Sequence, residues 1–349
     1  MIGAGGWAAG WLTWILPKFA SRCNVVALVD VDKQALQERG TELGLWPRQC
    51  FATMQAAFDA VRTGDITADC AFVVVPPEHH REAVVSCLAL GLDVLCEKPL
   101  AASWDDCLDI RDASRSNAAR LSVVQNYRYT PAMRAARDLI RQRAVGEPYQ
   151  VFSRFRIDYR KFGSWDGPRR HQMAQPVLQD AAIHHLDQIR HLIGSDFAEV
   201  VCDEWRPQHA DSFAGGCCVS LLGRLRNGVR VSYEANAICA SEQRPWMYEE
   251  YRVECSLGAV VLQGNQLTVE RLADDELIIE KIDPSGDPDL IYHTAVVAEF
   301  LDWLDGGHAP ETVVEDNLGS VAALITAIKS AEQHSWLAVD PVDGRKDRP

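Results

Sequence analysis

Three short stretches of this chain carry residues whose types and spacing could do chemistry. Gly3-Ala4-Gly5-Gly6-Trp7-Ala8 has the spacing Gly-x-Gly-x-x-Ala, the pattern of a turn that cradles a dinucleotide pyrophosphate. In such a turn Gly3 lets the chain bend tightly, Gly5 lets the backbone approach phosphate, and Ala8 keeps the next helix close to the sheet. Leu95-Cys96-Glu97-Lys98-Pro99 sets a lysine where an apolar run ends. A lysine at the carboxyl end of a parallel strand faces the ligand crevice of a doubly wound sheet, although a lone Glu-Lys pair also reads as a surface salt bridge. Asp180-Ala-Ala-Ile-His184-His185-Leu-Asp187 places an acid and an imidazole four residues apart on an expected helix. Asp180 and His184 then share a face and can act on one bound group, while His185 and Asp187 point elsewhere. The same pair could hold a metal, but no third ligand presents itself, so no metal is expected.

The elements needed to position these residues are legible as rhythm. Up to about residue 124, short apolar runs alternate with helical stretches. Asn24–Asp30, Cys70–Val75, Asp93–Cys96 and Leu121–Val124 read as buried strands. Near-continuous apolar strands separated by helices imply a parallel sheet covered on both faces. Asp30 ends the second strand, where a carboxylate hydrogen-bonds the adenosine ribose hydroxyls, and no arginine follows to pair with a 2′-phosphate. NAD is therefore expected rather than NADP. The plainer reading of Asp30 is a helix N-cap. Trp7, Trp11 and Trp14 recur at helical spacing, and of these Trp7 alone lies near enough to the turn to reach a cofactor or substrate.

After residue 124 a helix over Pro131–Arg143, a strand around Tyr149–Tyr159 and a helix around Gln179–Ile193 lead into seven strand-like runs without intervening helices. That succession indicates a largely antiparallel sheet, closed by two helices near 294–305 and 316–334. The expected fold class is α/β, a doubly wound parallel domain over residues 1–124 followed by an α+β domain over 125–349 with an open sheet. A strand ahead of Gly3 has only Met1 and Ile2 to draw on. Either it is cut short there or these two residues make a stub.

Bulk composition narrows the function. Asp and Glu outnumber Lys and Arg by 49 to 35, a net charge of −14, which argues against nucleic acid as a partner. Eleven cysteines occur without any C-x-x-C spacing, which points to reduced thiols in the cytoplasm and away from zinc. Residues 1–17 carry no charge, yet they lack the basic start and cleavage site of a signal peptide and make a poor membrane span.

Taken in order, Gly3–Ala8, Glu97-Lys98-Pro99 and Asp180-x-x-x-His184 resemble the glucose–fructose oxidoreductase/inositol dehydrogenase/MocA family. Val73-Val-Val-Pro76-Pro-Glu-His-His80, Asn126-Tyr127-Arg128-Tyr-x-Pro131 and Trp165 strengthen the resemblance, which spans nearly the whole chain. It implies a nucleotide domain, a second domain whose open sheet often pairs between subunits as a homodimer or homotetramer, and NAD(P)-dependent redox chemistry at a hydroxyl-bearing carbon of a sugar or cyclitol. Residue by residue, it implies that Gly3, Gly5, Gly6, Trp7, Ala8 and Asp30 bind the cofactor. Pro76, His80, Glu97, Lys98 and Asn126 would complete that site, with His80 near the nicotinamide. Lys98, Tyr127, Arg128, Trp165, Asp180 and His184 would meet the substrate, and Lys98, Asp180 and His184 would be catalytic. The chemistry suits these types: His184 as general base, Lys98 stabilising alkoxide charge, and Asp180 holding the hydroxyl or orienting His184.

The chain departs from the family where the substrate loop should lie. It has Ala174-Gln175-Pro176 where a glycine triplet is common, Ala182 for a frequent glycine, and Asp166 rather than arginine after Trp165. Two other readings stay open at this point. One is a hydrolase or lyase that uses NAD transiently, and the other is a non-catalytic sugar or cofactor sensor.

Overall fold

A computed structural model describes residues 1–241 and 246–341. The chain forms two compact units, Met1–Asn126 with Asp289–Leu318, and Tyr127–Pro288 with the chain from Gly319 on.

The first unit is the doubly wound half. Helix α1 (Gly6–Gly10) continues through a π-helical turn (Trp11–Ile15) into a 3-10 turn (Leu16–Phe19). There follow β1 (Leu28–Val29), α2 (Lys33–Glu42), β2 (Cys50–Phe51), α3 (Met54–Thr63), β3 (Cys70–Val73), α4 (His80–Ala89), β4 (Asp93–Glu97), α5 (Trp104–Ser116) and β5 (Leu121–Val124). Every strand pairing among β1–β5 is parallel. β1 and β2 make one ladder, and β3, β4 and β5 make another in that order.

Met1 and Ile2 join the two ladders. Ile2 bridges Val29 on one side and Val73 on the other. Its amide donates to Phe72 O at 2.8 Å, its carbonyl accepts from Val74 N at 2.8 Å, and Gly3 N donates to Val29 O at 2.8 Å. The Met1 ammonium is held by Ala27 O at 2.9 Å, and burial lowers its pKa. Two residues thus satisfy backbone groups on both neighbours, as a central strand must. The run expected as a strand over Asn24–Asp30 is regular only at Leu28–Val29, where it has partners on both sides.

The helix starts follow local chemistry. Asp32 caps α2, accepting from Gln34 N and Ala35 N, so the cap is Asp32 and not Asp30. Thr53 and Ser103 cap α3 and α5 in the same way.

In the second unit, α6 (Pro131–Arg141) starts at the cap Thr130 and leads to β6 (Pro148–Arg156), then α7 (Arg169–Gln172). A π-helical turn (Val177–Ala182) runs directly into α8 (Ile183–Ile193), which Gly194 ends in the left-handed conformation. Then come β7 (Phe197–Trp205), β8 (Cys218–Leu225), β9 (Arg230–Asn236), β10 (Glu250–Cys255), β11 (Gly258–Gln263), β12 (Gln266–Ala273) and β13 (Glu276–Ile282). After α9 (His293–Leu304), which belongs to the first unit, the chain closes with α10 (Val314–Gln333) and β14 (Leu337–Ala338). The nine strands lie in the order β13-β12-β11-β10-β6-β9-β8-β7-β14. Only β6 and β9 pair in parallel. β8 starts at Cys218 rather than at Gly215: a Cβ at Gly215 would stand 1.8 Å from Ala174 O, and Gly216 N donates to that same oxygen at 3.1 Å.

Helix α8 is buried along nearly its whole length although half of it is polar. Burying so many polar groups is costly unless most of them are paired. Asp187 accepts from Arg128 Nε at 2.8 Å and from Ser320 Oγ at 2.6 Å. Arg190 Nε donates to Asp196 at 2.8 Å, Tyr251 donates to Gln188 at 2.7 Å, and His185 Nδ1 meets Tyr233 Oη at 2.8 Å.

Candidate functional site

The glycine turn is held from behind and open in front. Gly3 has φ +109°, and a Cβ there would lie 2.1 Å from Val74 O. Only glycine fits. At Gly6, by contrast, φ is +49° and a Cβ would meet nothing within 4 Å, while at Gly5 the nearest contact is Ala35 Cβ at 3.6 Å. Packing therefore requires the first glycine, whereas a Cβ at Gly5 would make only ordinary contacts and one at Gly6 none. The helix start that follows is a place where backbone amides can hold an anion. Ala8 is buried at the root of α1.

Asp30 clasps this turn. Its Oδ2 accepts from Ala4 N at 2.7 Å and Gly5 N at 3.0 Å, and its Oδ1 accepts from Asp32 N at 2.9 Å. Two carboxylate oxygens offer about four acceptor directions, so capacity is left for ribose hydroxyls. The residues fit a dinucleotide, and the carboxylate disfavours an added 2′-phosphate.

At the carboxyl end of β4, Glu97 is buried and crowded with donors. Its Oε1 accepts from Trp7 Nε1 at 2.8 Å and Trp11 Nε1 at 2.9 Å, and its Oε2 from Lys98 N at 3.1 Å. His293 Nε2 lies 3.6 Å from Oε1. Burial pushes the Glu97 carboxyl up, but His293, the Lys98 ammonium and the Trp11 indole outweigh it and hold the group below its usual range. Glu97 is therefore an anion, and Lys98 beside it is partly exposed just past the strand end. Trp7 stays 44% exposed while Trp11 is fully buried, so of the aromatic stripe it is Trp7 that has surface left to offer. Exposed Pro76 opens the short turn after β3, and Asn126 is buried after β5 with its Nδ2 3.2 Å from His293 Nδ1.

His80, expected beside the nicotinamide, has both ring nitrogens near backbone carbonyls. It is fully buried, with Nδ1 2.9 Å from Pro99 O and Nε2 2.8 Å from Val75 O. Burial lowers its pKa despite those carbonyls. Both nitrogens face backbone carbonyls, of which a neutral ring donates to one, so the buried imidazole sits between the loops after β3 and β4.

In the second unit, His184 is buried and stacked on Tyr127, with ring centroids 3.8 Å apart and planes 16° from parallel. Asp180 accepts from Arg170 Nε at 2.8 Å. Arg170 also reaches Asp166 at 3.2 Å and lies over the Trp165 ring at 5.9 Å. The spacing of four between Asp180 and His184 spans a junction of π- and α-helix, not an uninterrupted α-helix as the spacing argument assumed. Such π-turns inside helices are frequent at functional sites. Arg128, expected at the substrate, is buried against Asp187 in a two-pronged ion pair and anchors α8 instead. Trp165 is also buried, stacked on Tyr159 at 5.0 Å, so it supports the loop rather than lining its surface.

Near the same loop, burial raises Glu204 to about 8 against the opposing pull of hydrogen bonds from Gln175 and Leu178 N. A carboxyl raised in the folded state contributes stability that is fully present below its unfolded pKa and lost as pH rises through about 8. Glu204→Gln is therefore expected to raise the melting temperature at pH 9 and to leave it nearly unchanged at pH 4. A variant melting like the wild type at both would contradict the burial argument.

Among the described residues no group of three His, Cys, Asp or Glu could hold a metal, and no helix is long and apolar enough to cross a membrane.

Residues 1–125 match the description "Oxidoreductase family, NAD-binding Rossmann fold", and residues 133–261 match the GFO/IDH/MocA C-terminal domain. The chain is 32% identical over 337 residues to the protein y4oX of Sinorhizobium fredii, covering 94% of this chain and 92% of that one. The chain belongs to the GFO/IDH/MocA oxidoreductase family. Its first unit is the NAD-binding Rossmann domain of that family, and it is an oxidoreductase. The 1,5-anhydro-D-fructose reductase of Ensifer adhaerens is 27% identical over 272 residues, 77% of this chain and 79% of that one. An oxidoreductase of Agrobacterium radiobacter, solved with NAD+, L-tartaric acid and magnesium, shares the fold at a TM-score of 0.81, with 21% identity and 97% of each chain covered.

For this GFO/IDH/MocA chain, two participants escaped the sequence reading. Arg170 stands in the loop between Trp165 and the Asp180/His184 segment, and its pairing with Asp180 ten residues on was there to be considered. His293 had no such signal. It is brought to Glu97 only because α9 returns to the first unit.

Proposed function

We propose that this protein is an NAD-dependent dehydrogenase acting at a hydroxyl-bearing carbon of a sugar, cyclitol or related polyol. The observation that carries the reading is the glycine turn clasped by Asp30, joined through the Trp7 indole to the carboxylate next to Lys98. The family supports it, as does the likeness to a reductase named for a sugar derivative.

NAD, when bound, supplies the hydride acceptor. The Gly5–Trp7 helix start would hold the pyrophosphate and Asp30 the ribose. Lys98 donates to the substrate oxygen and stabilises negative charge as it develops, a task for a fixed cation. His184 takes the hydroxyl proton, with its ring plane set by Tyr127. Asp180, held by Arg170, orients the hydroxyl or the imidazole. The cytoplasm is the expected compartment, in keeping with scattered free thiols. The open face of the nine-stranded sheet, with Phe152 and Leu222 exposed beside a trough of about 910 Å³, is the expected contact of a homodimer or homotetramer.

The test is a panel of sugars, cyclitols and other polyols offered with NAD and with NADP separately, followed by the absorbance of reduced nicotinamide. Turnover with at least one polyol and a preference for NAD is expected. No reduction of either cofactor across a broad panel would contradict the proposal.

A further inference from the structure

We infer that His293 is a positioning residue for the nicotinamide side of the cofactor site. The inference rests on the NAD reading above and concerns a residue outside both segments that match the family. The Glu97 carboxylate joins two parts of that site. Through the Trp7 and Trp11 indoles it holds the helix after the glycine turn, and through Lys98 N it holds the backbone that carries the lysine. His293 closes the remaining side of the same oxygen at 3.6 Å, with its ring centroid 5.2 Å from that of Trp7 and 5.7 Å from that of Trp11.

The orientation of the imidazole is set by its other neighbour. Asn126 Nδ2 can only donate, and it lies nearest Nδ1, at 3.2 Å. The same amide lies 3.4 Å from Nε2, so Asn126 meets one edge of the ring while Nε2 is the nitrogen nearest Glu97, 3.6 Å from Oε1. The backbone is shaped to deliver it. Tyr292, just before His293, sits at φ 52° and ψ −122°, a conformation costly for a residue with a side chain. Thr294 Oγ1 fixes the turn, donating to Asp289 O at 2.7 Å and accepting from Ile291 N at 3.1 Å.

Glu97, Lys98 and Asn126 follow β4 and β5, whereas Asp30, which would hold the adenosine ribose, follows β1. A dinucleotide laid across the switch point of a doubly wound sheet puts its two halves on these two sides. His293 therefore belongs with the nicotinamide half.

The experiment measures binding of NAD and of ADP-ribose, which lacks the nicotinamide, by calorimetry to the full chain and to two variants. His293→Phe keeps a ring but removes both nitrogens. His293→Gln keeps a donor for Glu97 and an acceptor for Asn126. The expected result is that His293→Phe weakens NAD by about tenfold or more, the scale of losing a donor to a charged group. ADP-ribose should then change by less than about twofold and His293→Gln should recover most of the loss. Equal losses of NAD and ADP-ribose, or a His293→Gln variant no better than His293→Phe, would make the residue packing only and overturn the inference. Wild-type protein that binds ADP-ribose but shows unchanged NAD affinity on His293→Phe overturns the inference alone, while wild-type protein that binds neither overturns the NAD reading beneath it.

Discussion

Lys98→Ala is expected to lower kcat by about 10²–10³-fold, the usual result of removing one fixed group that stabilises developing oxyanion charge. The NAD dissociation constant should move far less, because the glycine turn and Asp30 are untouched. His184→Ala should cost about 10²–10⁴-fold, the span attributed to a positioned general base. It leaves Tyr127 without its stacking partner, so a His184→Asn variant should accompany it to keep a polar group of similar size. The two residues are proposed for the same chemical step. The double variant should therefore lose less than the product of the single losses, as groups that act as a unit do. Turnover near the wild-type rate in either single variant, with NAD still bound, would remove that residue from the mechanism.

Gly3→Ala should be the most disruptive change in the first unit. A methyl group there would meet the Val74 carbonyl at 2.1 Å, and the backbone at φ +109° would have to shift. Overpacking costs about 1–3 kcal/mol and a left-handed non-glycine residue about 1–2 kcal/mol, so a loss of about 2–5 kcal/mol is expected. Thermal melting and NAD calorimetry should both show it. Gly6→Ala makes the contrast. It has φ +49° and open space around the added carbon, so stability should fall by about 1–2 kcal/mol at most. NAD affinity should drop, because that space is where the pyrophosphate would lie. If Gly6→Ala bound NAD like the wild type, the turn would not hold the cofactor as argued.

These contrasts show what could be read in advance and what could not. β5 falls on Leu121–Val124 as expected, and β3 and β4 begin where expected and end within two residues, because buried parallel strands leave continuous apolar runs bounded by glycines and caps. The glycine turn and the Glu97-Lys98 step at the end of β4 were legible for a similar reason, being local in the chain. The face-sharing of Asp180 and His184, by contrast, was argued for an uninterrupted α-helix that the π-turn replaces. What escaped was long-range. His80 has the residue type of a site histidine, but two carbonyls that no pattern announces turn it inward. Arg128 looked like a substrate ligand until Asp187, on a helix buried on all sides, required a partner. The π-turn at Val177–Ala182 leaves no periodicity distinct from that of an α-helix in so short a run. His293 reaches Glu97 by the return of α9 across most of the chain, and pairing at such separation is invisible to spacing.

The central claim is hydride transfer between a carbinol carbon and NAD, and label transfer tests it most directly. A polyol that the panel shows to be oxidised should be prepared with deuterium on the carbon to be oxidised, incubated with the enzyme and NAD, and the reduced cofactor weighed by mass spectrometry. The account predicts one deuterium in each reduced nicotinamide and none from deuterated solvent. Reduced cofactor without the label, or label lost to water while NAD stays oxidised, would contradict it.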